Sequence, residues 1–250
     1  MITPKKITYI AAACLTALTA VLPARADYAS TVAGLGPLAY WRFNETASAP
    51  PLNEVVNAAS TGAKLNGILQ LDGQKAQPGI VGTSYRNINN GAVVGYCGSK
   101  IDIAYSPLLN KKGAFSVEMW YKPNNLGGDA TGFCIVSSLN NDFVASARRG
   151  YLFYCNKDGR IQFRLGNDSG YVGTLDSGTS AQNAKVGKWT HIVGVFDGTA
   201  TKLFLNGIQV NSLTLTASQI ASLQVNTQVP FRIGGTALTG FSGLPGVSPS

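Results

Sequence analysis

Side chains suited to acid–base or nucleophilic chemistry are scarce in this chain. Of its 250 residues one is His, His191, and three are Glu: Glu45, Glu54 and Glu118. Hydrolysis of a glycosidic bond uses a pair of carboxylates roughly 5–10 Å apart. Glu118 stands alone, with Ser116 and Trp120 as its same-face neighbours, so a pair would have to be assembled from distant strands. A Ser-His-Asp or Cys-His site would have to use His191. That residue sits inside an apolar strand-like run, where it reads as a packing and hydrogen-bonding group. Zinc finds one His and dispersed cysteines with no Cys-x-x-Cys spacing. No Gly-rich phosphate loop leads into a helix. These residues describe a protein without catalytic machinery; glycoside hydrolysis is the least favoured alternative.

Binding chemistry is better supplied. Calcium takes six to eight oxygens, many from backbone carbonyls, and leaves little trace in a sequence. Asp142, in Asn140-Asn141-Asp142, and Asp168, after Asn167, are the calcium candidates; the competing reading is loop residues facing water. Sugar rings are held by aromatic faces beside amide and carboxylate groups. There are ten Tyr, ten Phe and three Trp, most of which a core would consume. Tyr154 and Tyr171, near Asn156 and Asn167, are the ligand-binding candidates, against packing at the core or a sheet edge. Asn44-Glu45-Thr46 and Asn167-Asp168-Ser169 match the N-glycosylation pattern, which also arises by chance.

Short strands have to position these groups. In Phe115–Tyr121, Phe115, Val117, Met119 and Tyr121 share one face, and Ser116, Glu118 and Trp120 the other. Tyr40–Phe43, Phe133–Ser138, Tyr151–Cys155, Ile161–Leu165, Trp189–Phe196, Lys202–Leu205 and Phe231–Ile233 read as further strands. Ile161, Phe163 and Leu165 alternate with Gln162 and Arg164. Asn206-Gly207, between two such runs, predicts a two-residue hairpin turn with both central residues at positive φ. Asp158-Gly159 and Asp197-Gly198 mark two more reversals. Helical signal is confined to one or two turns over Thr216–Leu223 and one over Ala104–Asn110. The stretch from Ala47 to Gly91 reads as loops and short edge strands. With Gly at 29 of 250 residues, this pattern predicts an all-β, two-sheet antiparallel sandwich. If the strands at 133–138 and 151–156 form a hairpin, Cys134 lies opposite residue 154 or 155. A Cys134–Cys155 disulfide is then within reach, the alternative being two buried thiols. Cys97 is left over.

The first 26 residues read as an export signal: Lys5 and Lys6, an apolar run over residues 7–22, and the small-x-small site Ala24-Arg25-Ala26. A lipoprotein site at Cys14 is the weaker alternative. The run is short for a membrane span. The leader holds three of the basic residues (Lys5, Lys6, Arg25) and no acidic one, so the net charge of +8 becomes +5 without it. The remaining cations are scattered, unlike the clustered face of a nucleic-acid binder.

Five segments in order resemble the LamG-like jelly-roll domains of the concanavalin A-like lectin/glucanase superfamily. They are Leu38–Glu45 (LAYWRFNE), Phe115–Pro123 (FSVEMWYKP), Gly187–Val193 (GKWTHIV), Lys202–Gly207 (KLFLNG) and Phe231–Gly235 (FRIGG). The resemblance implies two packed antiparallel sheets of six or seven strands each. It also implies an extracellular setting, glycan or protein ligands and, in some members, a calcium ion at the rim. After Phe241-Ser242-Gly243 the chain runs into Leu244-Pro245-Gly246, where the family continues with Ile-Asp-Glu and a closing strand. Together these readings give a signal peptide over residues 1–26, a jelly-roll domain over 27–243 and a loosely ordered tail over 244–250. The expected function is a secreted or periplasmic, non-catalytic recognition or adhesion module for a glycan or an extracellular or envelope protein. A structural module of a larger surface protein is the alternative, and neither nucleic acid nor a membrane span is expected.

Overall fold

The computed structural model describes residues 27–46, 53–70, 73–80, 82–86, 99–126, 133–142, 147–235 and 237–239, with only the backbone of 141, 142 and 237–239. The expected signal peptide over residues 1–26, Cys97, the Asp142 side chain and residues 244–250 lie outside these residues. In chain order the first strands are β1 (Glu54–Val55), β2 (Gly67–Gln70), β3 (Gln74–Pro78), β4 (Thr83–Arg86), β5 (Lys100–Ile103) and β6 (Phe115–Tyr121). Next come β7 (Phe133–Ser137), β8 (Asn140–Asp142), β9 (Ala147–Arg149), β10 (Tyr151–Cys155), β11 (Ile161–Asn167) and β12 (Gly170–Asp176). The last are β13 (Thr190–Phe196), β14 (Ala200–Leu205), β15 (Ile208–Thr214), β16 (Phe231–Ile233) and β17 (Ala237–Thr239). Two short α-helices, α1 (Tyr28–Gly34) and α2 (Ala217–Ser222), and two 3-10 turns, Gly62–Leu65 and Pro107–Leu109, complete the described set.

The predicted sandwich is present, with an unequal division of strands. One sheet runs β1-β2-β5-β16-β7-β10-β11-β12 and the other β15-β14-β13-β6; β17-β8-β9 and the hairpin β3-β4 are small additions. Alternation dictates the core. Ile161, Phe163 and Leu165 from β11 and Phe153 and Cys155 from β10 meet Ile192 and Phe196 from β13 and Leu203 and Leu205 from β14. Phe153 and Phe163 stack with ring centres 4.7 Å apart. They are accommodated because β13 presents Gly194 to them, where a Cβ would lie 2.3 Å from Phe153 Cζ.

Local signals hold at the turns. Asn206 and Gly207 take φ of 51° and 80°, linking β14 to β15 as predicted. Thr216 caps α2 by accepting from the Gln219 amide, while the Gln219 side chain accepts from the Thr216 amide. Two expectations are corrected. Tyr40–Phe43 forms no strand: only an isolated bridge joins Trp41 to Asn57, and Phe43 turns the chain aside at φ 55°. Trp41 is nevertheless anchored, stacked on Phe231 at 5.4 Å and donating Nε1–H to the Leu65 carbonyl.

The second correction concerns the disulfide: Cys134 and Cys155 are both free thiols. A bulge between Phe153 and Tyr154 sets Cys134 opposite Tyr154 and Cys155 opposite Phe133. Opposed residues share a face of the sheet and successive residues alternate. Cys134 therefore lies on the outer face with Tyr154, and Cys155 points into the core. Burial raises both thiol pKa values, to about 11 for Cys155 and about 12 for Cys134.

Candidate functional site

The outer face of β10–β12 gathers aromatic and hydrogen-bonding groups from three neighbouring strands. Register builds it in rows. Tyr154 on β10 opposes Gln162 on β11, and Gln162 opposes Asp176 on β12. Arg164, two residues further along β11, shares their face. Tyr171 opposes Gly166, again two residues on. Arg164 thus falls between the rows, its guanidinium carbon 5.4 Å from the Tyr154 ring centre and 5.1 Å from that of Tyr171. Both distances are within the range of cation–π attraction. Gly166 is required where it stands, since a Cβ there would lie 2.1 Å from the Arg148 carbonyl oxygen. This close passage of β9 bounds one end of the face.

Asp176 bounds the other end. Its Oδ2 accepts from Gln162 Nε2 at 2.5 Å, Arg160 Nη1 at 3.3 Å and Asn156 Nδ2 at 3.5 Å. Its Oδ1 accepts from the Gly178 amide at 2.7 Å. Arg164 Nη2 donates to Gln162 Oε1, while Arg164 Nε is buried with no acceptor. Tyr154, Tyr171, Gln162 and Arg164 are all partly exposed. The arrangement presents ring surface, a fixed guanidinium and an amide–carboxylate pair on one surface, which suits binding of a polar ring.

Three of the four ligand-binding candidates meet here: Tyr154, Tyr171 and Asn156. Asn167 does not. Its Oδ1 accepts from the Ser169 amide and hydroxyl, shaping the β11–β12 turn. Of the calcium candidates, Asp168 forms an ion pair with Arg149 at 2.5 Å. Among the described residues no three His, Cys, Asp or Glu side chains converge as a metal site. Arg164, Gln162, Asp176 and Arg160 were not among the sequence candidates. The alternation of Gln162 and Arg164 with Ile161, Phe163 and Leu165 was the signal that carried the first two.

A second polar cluster lies on the outer face of the four-stranded sheet. Glu118 Oε1 accepts from the Tyr28 hydroxyl at 2.7 Å and lies 2.8 Å from His191 Nε2. Trp120 opposes His191 in the β6–β13 register, their ring centres 4.8 Å apart. The Tyr28 ring meets Trp120 edge-on. The hydrogen bond from His191 and then that from Tyr28 hold the Glu118 pKa below its ordinary value, against the opposing effect of burial. Tyr28 is itself raised, by burial first and by Glu118 second. Glu118 thereby fastens α1 to the sheet.

A family model, Laminin_G_3 of the concanavalin A-like lectin/glucanases superfamily, matches residues 95–247. Among curated proteins none matches the chain. In fold the chain is similar to botulinum neurotoxin type C, a toxin dependent upon interaction with two ganglioside molecules to enter cells. That match has 13% identity and a TM-score of 0.58, over 83% of this chain and 45% of that one. The binding domain of botulinum neurotoxin serotype C1 matches with 13% identity and a TM-score of 0.51, over 76% of this chain and 43% of that one. The chain thus spans less than half of either structure.

Proposed function

This chain belongs to the concanavalin A-like lectin/glucanases superfamily, and from that premise we propose that it is a non-catalytic glycan-recognition module of an exported protein. Its binding surface in this reading is the outer face of β10–β12. The observation that carries the reading is Arg164 held between Tyr154 and Tyr171, beside the Gln162–Asp176 pair. Sugar sites join aromatic surface to a few placed hydrogen-bonding groups, and this face has both. The ganglioside dependence of botulinum neurotoxin type C supports glycan as the ligand class. A binding role without catalysis is supported by Glu118, whose carboxylate is engaged by Tyr28 and His191. Export rests on the basic, apolar and small-residue order of the leader.

Thermal unfolding of the purified protein against a panel of soluble polysaccharides, with calcium or with EDTA, tests this. A ligand at a hundred times its Kd adds about 2.7 kcal/mol, which raises the midpoint by several degrees for a chain of this size. A selective rise that Tyr154→Ala and Tyr171→Ala abolish supports the reading. No rise with any polysaccharide returns the protein to the alternative of a structural module in a larger assembly.

A further inference from the structure

The charges of the β10–β12 face are unevenly matched. Arg160 pairs with Asp158 at 2.6 Å and with Asp176 at 3.3 Å, and Arg149 pairs with Asp168. Arg232, further across the same sheet, pairs with Asp102 at 2.8 Å. Among the described residues Arg164 has no carboxylate partner. Its Nη2 donates to the neutral amide oxygen of Gln162, and its Nε has no acceptor. The nearest carboxylate in the network, Asp176, reaches it only through Gln162 and is already saturated by three side-chain donors. Two tyrosine rings fix the guanidinium and offer only quadrupole attraction in place of a counter-ion. A guanidinium held in place, partly desolvated and bonded to an amide is matched by an incoming anion, because charge-assisted bonds to a pair of anionic oxygens are stronger than bonds to an amide.

Resting on the glycan reading of this face, we infer that the glycan it takes is anionic: a sugar carrying a carboxylate or sulfate group that binds Arg164 in place of Gln162 Oε1. The sugar ring then lies along Tyr154 or Tyr171, and the freed Gln162 amide remains on Asp176. Neutral glycans make the ring contacts without the anion contact and bind more weakly.

The test titrates the purified protein by calorimetry with polygalacturonate, with its fully methyl-esterified form, with dextran sulfate and with plain dextran. The inference expects an anionic polymer to bind at least about tenfold more tightly than its neutral counterpart, the scale of one charge-assisted bond. Whether polygalacturonate or dextran sulfate is preferred identifies carboxylate or sulfate. Arg164→Lys retains the charge but not the planar fork and is expected to lose about tenfold. Lys188→Gln, which removes a charge off this face, should bind as the wild type does. Circular dichroism and the unfolding midpoint confirm that each variant is folded. Equal binding of anionic and neutral polymers, abolished by Tyr154→Ala, would overturn the inference and leave the glycan reading standing. Anion binding that survives Arg164→Lys and falls with Lys188→Gln would overturn it in favour of diffuse attraction to a basic protein. Binding of no polymer would remove both.

Discussion

Gly194→Ala probes the contact on which the sandwich depends. Gly194 lies mid-strand in β13, and the atoms nearest a Cβ placed there are Phe153 Cζ at 2.3 Å, Phe153 Cε1 at 2.5 Å and Phe163 Cγ at 3.1 Å. Ordinary carbon contacts begin near 3.5 Å, so the methyl group needs about 1 Å of movement from the Phe153 ring. That ring has nowhere to go: it is fully buried and stacked on Phe163, which is fully buried too. Forcing a methyl into a packed core typically costs about 1–3 kcal/mol. For a chain of this size each kcal/mol shifts the midpoint by about 2–4 °C, so a fall of roughly 2–12 °C is expected. Thermal or denaturant unfolding followed by tryptophan fluorescence measures it. Phe153→Leu removes the ring edge that the methyl strikes. In that background Gly194→Ala should be less damaging, giving a non-additive double-mutant cycle. An unchanged or higher midpoint for Gly194→Ala, or strict additivity with Phe153→Leu, would refute the packing described for the two sheets.

Further outcomes follow from other contacts. Gly207→Ala places a side chain at φ 80° and should cost about 1–2 kcal/mol, read as a lower denaturant midpoint; no loss would contradict the turn. The Glu118 pKa is lowered from 4.5 on folding, so its contribution to stability is present above that pH and is lost as pH falls through the lower folded value. The midpoint difference between wild type and Glu118→Gln should therefore be largest above pH 4.5 and shrink under acid; a difference that grows under acid would contradict the Tyr28–Glu118–His191 contacts. Cys134 and Cys155, with thiol pKa values raised to about 12 and about 11, should resist iodoacetamide at pH 8 in the folded protein and react on unfolding. Peptide mapping by mass spectrometry checks this, and a Cys134–Cys155 cross-link in the unreduced protein would contradict the register between β7 and β10.

What could be read from the sequence was set by local pattern. The alternation in Phe115–Tyr121, the Asn206-Gly207 turn and the short helical stretch over Thr216–Leu223 each express a preference held within a few residues, and each is present. The disulfide failed because one bulged residue between Phe153 and Tyr154 changes which side chain faces which, and a bulge leaves no mark in composition. Tyr154 and Tyr171 were legible as aromatic residues near amides. Their union through Arg164 was not, because it depends on the registers of three strands at once. Gly194 looked like any glycine until the rings across the sandwich were in place. Helix α1 is seven residues long without a side-chain cap; its hold on the sheet comes from the Tyr28–Glu118 bond, 90 residues apart in sequence.

The central claim, that the β10–β12 face binds glycan, is tested most directly by hydroxyl-radical footprinting of the tyrosines with and without a bound polysaccharide. Labelling of Tyr154 and Tyr171 should fall on binding, while that of Tyr28 and Tyr40, on the other side of the molecule, should stay unchanged. Protection of Tyr28 and Tyr40 with Tyr154 and Tyr171 left open would contradict the account.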